Sequence, residues 1–262
     1  MGVLFLFRSF DGTRLHYDKK GNGQPFYFFH PPGVGAAIFR EQGSLAEKRK
    51  VVALNARGHG MSELGDQPIT MEQWAADTYA LAKHEKDDRM IVCGYSQGSL
   101  GALAFANRYP ERTAGVVLIG GFPFADTWLL KQGLRTGTWA SALHWKPLIA
   151  LALSRVHTKD KTTRRMIAAS VKSVQANALK RWFELGQEAD YRESLDNLSA
   201  PLMLIYGKRD PYAKAYQSDF YCRANQVPVQ SVYIDGVGHQ VPTKRSNELN
   251  AVLAQFARKA GD

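Results

Sequence analysis

The chain has 262 residues, two cysteines and a formal charge of +10. This length suits one large α/β domain, and 45% hydrophobic with 22% charged residues excludes a disordered or low-complexity protein. Two cysteines rule out a disulfide framework or a multi-cysteine metal site within one chain, and the cations are scattered and often sit beside acids, so a solvated basic surface is expected rather than a nucleic-acid interface.

The N-terminal apolar run at 3–7 has no preceding basic residue and is too short for a signal core. No window reaches the length of a membrane span. A cytoplasmic location is therefore expected. "VLFLFRSF" and "RLHYDKK" flank Asp11-Gly12, a hairpin signal. "PFYFF" and "RKVVALN" read as short strands. "TMEQWAADTYALAKH" reads as a helix with Thr70 as N-cap and Gln73 as its capping-box partner. "RMIVCG", the helix "QGSLGALAFANRY" and the strand "GVVLIGG" follow. Beyond them lie some seventy residues with no clear strand, helix-compatible throughout and holding four of the five tryptophans. The strands "PLMLIYG" and "QSVYID" come next. A last helix near 244–259 carries Leu249, Val252, Leu253 and Phe256 on one face. Uniformly apolar central strands imply a parallel sheet with helices on both faces, and chemistry at its carboxyl edge.

"GYSQG", Gly94 to Gly98, lies between a strand and a helix, as a nucleophile elbow requires. Ser96 is the candidate nucleophile, and the N–H of Gln97 faces an incoming oxyanion from the helix N-terminus. Gly94 and Gly98 are small because a side chain there would meet neighbouring backbone. His239 in "GVGHQVP" is the best-placed base, and Asp210 in "YGKRDP" the acid that orients it. Asp235 is the alternative acid, but it ends its own strand only four residues before His239. Tyr95 either lines the pocket or packs above the sheet, and Trp128 and Trp139 are candidate pocket walls. Cys93, in an apolar strand, is expected to be buried and inert. No glycine fingerprint follows a strand and no histidine, cysteine and carboxylate cluster has metal spacing, so neither a dinucleotide nor a metal is expected.

Taken in order, these motifs resemble the α/β-hydrolase superfamily along nearly the whole chain. "NARGHGMS" is similar to its D-x-R-G-x-G-x-S loop, with Asn55 in place of Asp, and "GVGH" to its histidine loop. The resemblance implies an eight-stranded, mostly parallel sheet. It also implies a core of residues 1–122 and 198–262, a helical cap at 123–197 inserted after the sixth strand, and a Ser96–His239–Asp210 triad. His30 and His59 are then expected to be structural. The family's H-G-x-G or H-G-x-P oxyanion loop aligns with "HPPGVG", residues 30–35, and puts Pro32, which has no N–H, at the donor position. A re-registered loop donating from Gly33 first, or Val34, is the expectation.

The function that follows is hydrolysis of a small or medium, largely apolar carboxylic ester through an acyl-enzyme on Ser96. The partner is a small-molecule substrate, with no cofactor. Other carbonyl chemistry on the same triad (C–C bond hydrolysis, acyl transfer, amide cleavage) is an alternative. A ligand-binding or signalling member of the fold with vestigial turnover is another. The sequence sets no oligomeric state.

Overall fold

The computed structural model describes residues 4–212 and 214–260. Its strands are β1 (Leu4–Arg8), β2 (Arg14–Lys20), β3 (Pro25–Phe29), β4 (Lys50–Leu54), β5 (Met90–Tyr95), β6 (Thr113–Ile119), β7 (Leu202–Gly207) and β8 (Val229–Ile234). They form one eight-stranded sheet in the order β1-β2-β4-β3-β5-β6-β7-β8. Strand β2 runs antiparallel to both β1 and β4, and every pair from β4 to β8 is parallel. The hairpin expected at Asp11-Gly12 closes β1 on β2, with Arg8 opposite Arg14. Asp11 Oδ1 accepts from the Thr13 N–H at 3.0 Å and fixes that turn.

Continuous burial of β3 to β7 follows from their composition, because each presents apolar groups to both faces. Along β5, Met90 and Val92 join one core, whereas Ile91, Cys93 and Tyr95 join the other. The same two-residue alternation runs along β6 from Val116 to Ile119 and along β7. The first core is covered by α1 (Met71–His84) and α2 (Gly98–Arg108). The second is covered by the 3-10 segment Ala36–Glu47 and, near the C-terminus, by α10 (Ser246–Ala260). Helix α10 buries Leu249, Leu253 and Phe256, each contributing about 1.5–3 kcal/mol as an upper estimate. The expected cap on α1 is half formed. Thr70 Oγ1 accepts from the Gln73 N–H at 3.0 Å, but the Gln73 side chain donates to Asp77 Oδ1 rather than reaching back.

Between β6 and β7 the chain runs through α3 (Trp128–Ala142), α4 (Lys146–His157), α5 (Lys161–Ser173), α6 (Ala176–Glu188) and the short α7 (Arg192–Asp196). Helices α3 to α6 share a small core of their own around Ile149, Val171 and Leu179. They meet the sheet edge through side-chain to backbone hydrogen bonds. Trp182 Nε1 donates to Arg57 O at 3.0 Å, and Ser170 Oγ donates to Gly33 O at 2.8 Å. Short helices α8 (Gln217–Arg223) and α9 (Val241–Lys244) complete the chain order. Among the described residues, no helix is long and apolar enough to cross a membrane.

Candidate active site

Ser96 follows the last residue of β5 and has φ +53°, a left-handed conformation disfavoured for a residue with a Cβ. Such backbone costs on the order of 1–3 kcal/mol and persists only where its surroundings fix it. Here the Ser96 N–H donates to Ile119 O at 2.9 Å and the Ser99 N–H donates to Ser96 O at 3.0 Å. Gly94 and Gly98 are required by close approach. A Cβ at Gly94 would lie 2.4 Å from Ser99 Cα, and one at Gly98 2.1 Å from Phe29 O. Gln97 stands at the N-cap of α2, where the first amides have no intrahelical acceptor.

Asp210 and His239 are brought together from the loops after β7 and β8. His239 Nδ1 lies 2.8 Å from Asp210 Oδ2, and the Asp210 side chain is fully shielded from solvent. An ionised carboxylate only accepts, so the proton sits on Nδ1 and leaves Nε2 as the basic nitrogen. The Asp210 turn is pinned locally: its N–H donates to Gly207 O at 2.9 Å, and its Oδ1 accepts from the Tyr212 N–H at 2.8 Å. The imidazole sits between Tyr95, with ring centroids 5.3 Å apart, and Tyr212, at 5.2 Å. Tyr95 precedes Ser96, which is how the imidazole comes beside the elbow. The Ser96 side chain itself hydrogen-bonds to no other described residue. Catalytic hydrogen bonds often tighten only around substrate.

Gly120, which the sequence reading did not single out, is part of this arrangement. It has φ +54°, and a Cβ there would lie 2.9 Å from His239 Nδ1 and 3.1 Å from Asp210 Oδ2. Its only signal in the sequence is its place at the end of the "GVVLIGG" strand. Asp235 is exposed and paired with Lys208 at the surface, so it does not take the role of the acid.

The loop at 30–35 is held from behind by two neutral histidines. His30 Nε2 accepts from the Ala56 N–H at 3.1 Å, and its Nδ1 faces Pro31 O at 2.9 Å. Burial pulls its pKa down to about 4. His59 Nε2 accepts from the Gly33 N–H at 2.8 Å, and burial, then the neighbouring His30, holds its pKa well below the usual value. This corrects the expectation for Gly33: its amide is committed to His59, so of the two candidate donors Val34 remains. The unexpected Asn55 has a structural use in this loop, since its Oδ1 accepts from the Ala36 N–H at 2.9 Å.

Behind this loop lies an ion cluster that the sequence reading missed. Arg57, in the "RGHG" turn, is 2% exposed and forks onto Asp77 at 2.7 and 2.8 Å, with Asp11 at 2.8 Å. Burial raises the Asp11 carboxyl, but hydrogen bonds from Arg57 and Thr13 outweigh it and hold the pKa at about 2.

Trp128 and Trp139 do not line this site. They are 74% and 58% exposed, and Trp139 packs edge-on against Trp145 at 5.2 Å. The tryptophan that turns inward is Trp182, against Trp74 and His59. Tyr95 is fully buried with its hydroxyl 3.3 Å from His157 Nδ1, so it is packed under the imidazole rather than open to a pocket. Cys93 is buried, which raises its pKa well above the usual thiol value, consistent with an inert thiol. A cavity of about 800 Å³ lies elsewhere, between the sheet at β2 and β4, the 3-10 segment and α5. Its walls include Asn55 and Ser170 but not Ser96, Asp210 or His239.

Fold and motifs together define an α/β-hydrolase. The sequence profile described as serine aminopeptidase, S33, matches residues 45–245, and the chain belongs to that family. Serine hydrolase BPHL of Mus musculus is 25% identical over 256 residues, covering 94% of this chain and 84% of that protein. The 3-oxoadipate enol-lactonase 2 of Acinetobacter baylyi is 23% identical over 243 residues, covering 87% of this chain and 88% of that one. Among solved structures, an esterase from Exiguobacterium antarcticum superposes with a TM-score of 0.86 at 15% identity, over 98% of this chain and 100% of that one.

Proposed function

We propose that this hydrolase cleaves a small or medium, largely apolar carboxylic ester through an acyl-enzyme on Ser96. The observation that carries the reading is the His239–Asp210 pair at 2.8 Å, set beside a serine held at φ +53° on a helix N-terminus. His239 Nε2 removes the proton from Ser96 Oγ as it attacks the ester carbonyl carbon. Asp210 keeps the imidazole in the required tautomer and stabilises its cation. The oxyanion is met by the N–H of Gln97 and, across the cleft, by that of Val34. His239 then returns its proton to the leaving alcohol and activates water, which releases the acid and regenerates Ser96.

The apolar preference rests on what surrounds the 30–35 loop. At Gly33 the nearest side-chain atoms belong to Val171, Leu179 and Leu153, aliphatic groups from α4 to α6. Residues 123–197 are proposed to act as a cap that supplies this wall. The activities named for the relatives agree with the reaction class, since they include a lactonase and, at 29% identity over 54% of this chain, a pimeloyl-[acyl-carrier protein] methyl ester esterase. Amide cleavage on the same triad is the second reading, favoured by the family's description as serine aminopeptidases.

A panel of aryl esters of rising acyl length, beside aminoacyl anilides, tests both readings on wild type and Ser96→Ala. Ester turnover that disappears in Ser96→Ala is expected. Anilide turnover exceeding ester turnover would transfer the assignment to amide cleavage. A fluorophosphonate label that persists in Ser96→Ala would show that another residue is the nucleophile.

A further inference from the structure

The outer surface of helices α3 and α4 carries chemistry that the hydrolytic site does not use. Trp128, Trp139 and Leu148 are each more than half exposed, and Leu143, Trp145 and Leu151 are each more than 40% exposed. On α3, Trp128, Arg135 and Trp139 recur at i, i+7 and i+11, which is one stripe of a helix. On α4, Leu148, Leu151, Ala152 and Arg155 recur at i, i+3, i+4 and i+7, again one face. The two stripes are continuous: the rings of Trp139 and Trp145 meet at 5.2 Å, and the Leu148 N–H donates to Trp145 O at 3.0 Å.

Within α3 and α4 the charge has one sign: Lys131, Arg135, Lys146 and Arg155, with no acid. From Trp128 to Arg165 the chain has eight lysines and arginines and one acid, Asp160. That acid is already engaged, capping α5 through the Thr163 N–H at 2.7 Å and pairing with Arg40. Among the described residues, Arg135 and Arg155, which lie within the apolar stripes, form no ion pair, whereas Lys131 of α3 is paired with Asp126.

A second copy of the chain is a poor occupant, because a two-fold contact would set this cationic field against itself. A nucleic acid would answer the charge but leave Leu148 and Leu151 uncovered. An anionic lipid surface answers both features. Tryptophans sit at headgroup depth, leucines enter the acyl boundary, and arginines meet the phosphates.

We propose that the α3–α4 face docks the protein onto anionic lipid bilayers, with both helices lying in the plane of the interface. Helix α4 ends at His157, whose ring meets Tyr95 and whose carbonyl accepts from Thr243, so the docking face and the Ser96 site share one helix. The docking surface is defined by α3 and α4 alone and stands apart from the assignment of the nucleophile.

Co-sedimentation of the full chain with vesicles tests this. Binding to phosphatidylcholine doped with phosphatidylserine is expected to be at least about tenfold tighter than to phosphatidylcholine alone, and to weaken as salt is raised. Leu148→Ser with Leu151→Ser should weaken binding to the doped vesicles about tenfold or more. Arg135→Gln with Arg155→Gln should reduce the preference for anionic lipid. Both pairs should leave the unfolding midpoint and the turnover of a soluble short ester unchanged. Absence of vesicle binding, or binding untouched by the leucine pair, overturns the proposal. So does a wild-type dimer that the leucine pair makes monomeric, which assigns the face to a second copy. Equal affinity for duplex RNA, unaffected by the leucine pair, overturns it in favour of a nucleic acid.

Discussion

The two walls of the candidate site are built differently. On one side Asp210, His239 and Gly120 touch one another at the carboxyl edges of β6, β7 and β8. On the other, the 30–35 loop offers the site backbone only, and apart from its own His30 the groups that fix it come from elsewhere: His59 holds Gly33, Asn55 holds Ala36, and Ser170 reaches down from α5. A wall built by direct contact fails where it is touched. A wall built by props fails when a prop is removed, with the reacting groups still in place.

Ser96→Ala is the reference for both walls, since it removes the nucleophile they share. A loss on the order of 10⁶-fold in kcat is expected from a triad nucleophile, read by ester turnover in a folded variant. Residual turnover within tenfold of wild type would mean that neither wall serves Ser96.

The largest stability effect belongs to the propped wall. Asp77→Ala leaves the Arg57 guanidinium buried with only Asp11 opposite it, and the backbone of Arg57 carries the Trp182 contact to α6. Breaking one partner of a buried ion pair costs about 3–5 kcal/mol. The urea unfolding midpoint measures it. A change below about 1 kcal/mol, the range of exposed pairs, would show that the cluster is solvated in solution.

His59→Leu is the sharper test of the props, because it removes the acceptor of the Gly33 N–H and leaves Ser96, Asp210 and His239 in place. Displacing an oxyanion donor costs about 10²–10³-fold in turnover, so a drop in kcat of that size with little change in KM is expected. An unchanged kcat would mean the loop holds its geometry without His59. Gly120→Ala examines the other wall. Its new Cβ would lie 2.9 Å from His239 Nδ1, so the imidazole must move or the variant must shift β6. A misplacement near 1 Å costs about 10²-fold in rate, with fluorophosphonate labelling slowed in parallel. Wild-type kcat in this variant would show that the contact is slack.

The contact wall was largely legible in the sequence, and the propped wall was not. Ser96, Asp210 and His239 each follow an apolar strand, and parallel strands deliver their next residues to one edge, so chain order alone gathers them. The sheet was legible for the same reason: β3 to β7 are short apolar runs bounded by turns. The props escape such reading because each joins segments far apart in sequence. Nothing in "RGHG" says that His59 accepts from Gly33, 26 residues earlier. Nothing in the helix around Trp74 says that Asp77 is the partner of Arg57. The tryptophans misled for a related reason: helical periodicity shows which residues share a face, but not which face turns inward. Trp182 turned in, and Trp128 and Trp139 turned out.

Per pH unit, the smallest expected effect is read in acid, and it also separates the walls. His30, behind the loop, has its pKa lowered by burial to about 4, and His157, beside Tyr95, to about 3. A histidine whose folded pKa lies below the unfolded value near 6.5 takes up its proton later in the folded state. Above pH 6.5 neither state is protonated and the full stability is present. As pH falls from about 6.5 to 4, the unfolded chain binds protons that folded His30 refuses, so stability drops by on the order of 1 kcal/mol per pH unit per histidine. Asp11, held at about 2 against 3.8, adds its own loss only below pH 4. The curve of unfolding free energy against pH is therefore expected to fall in two overlapping windows, the histidines from about pH 6.5 and Asp11 from below about 4. His30→Gln keeps a donor and an acceptor in place but cannot titrate, so it should flatten the upper window by about one proton and leave the lower one unchanged. An unaltered slope between pH 6.5 and 4 would show that His30 already carries its proton in the fold, and the loop would then rest on a cation rather than on two neutral rings.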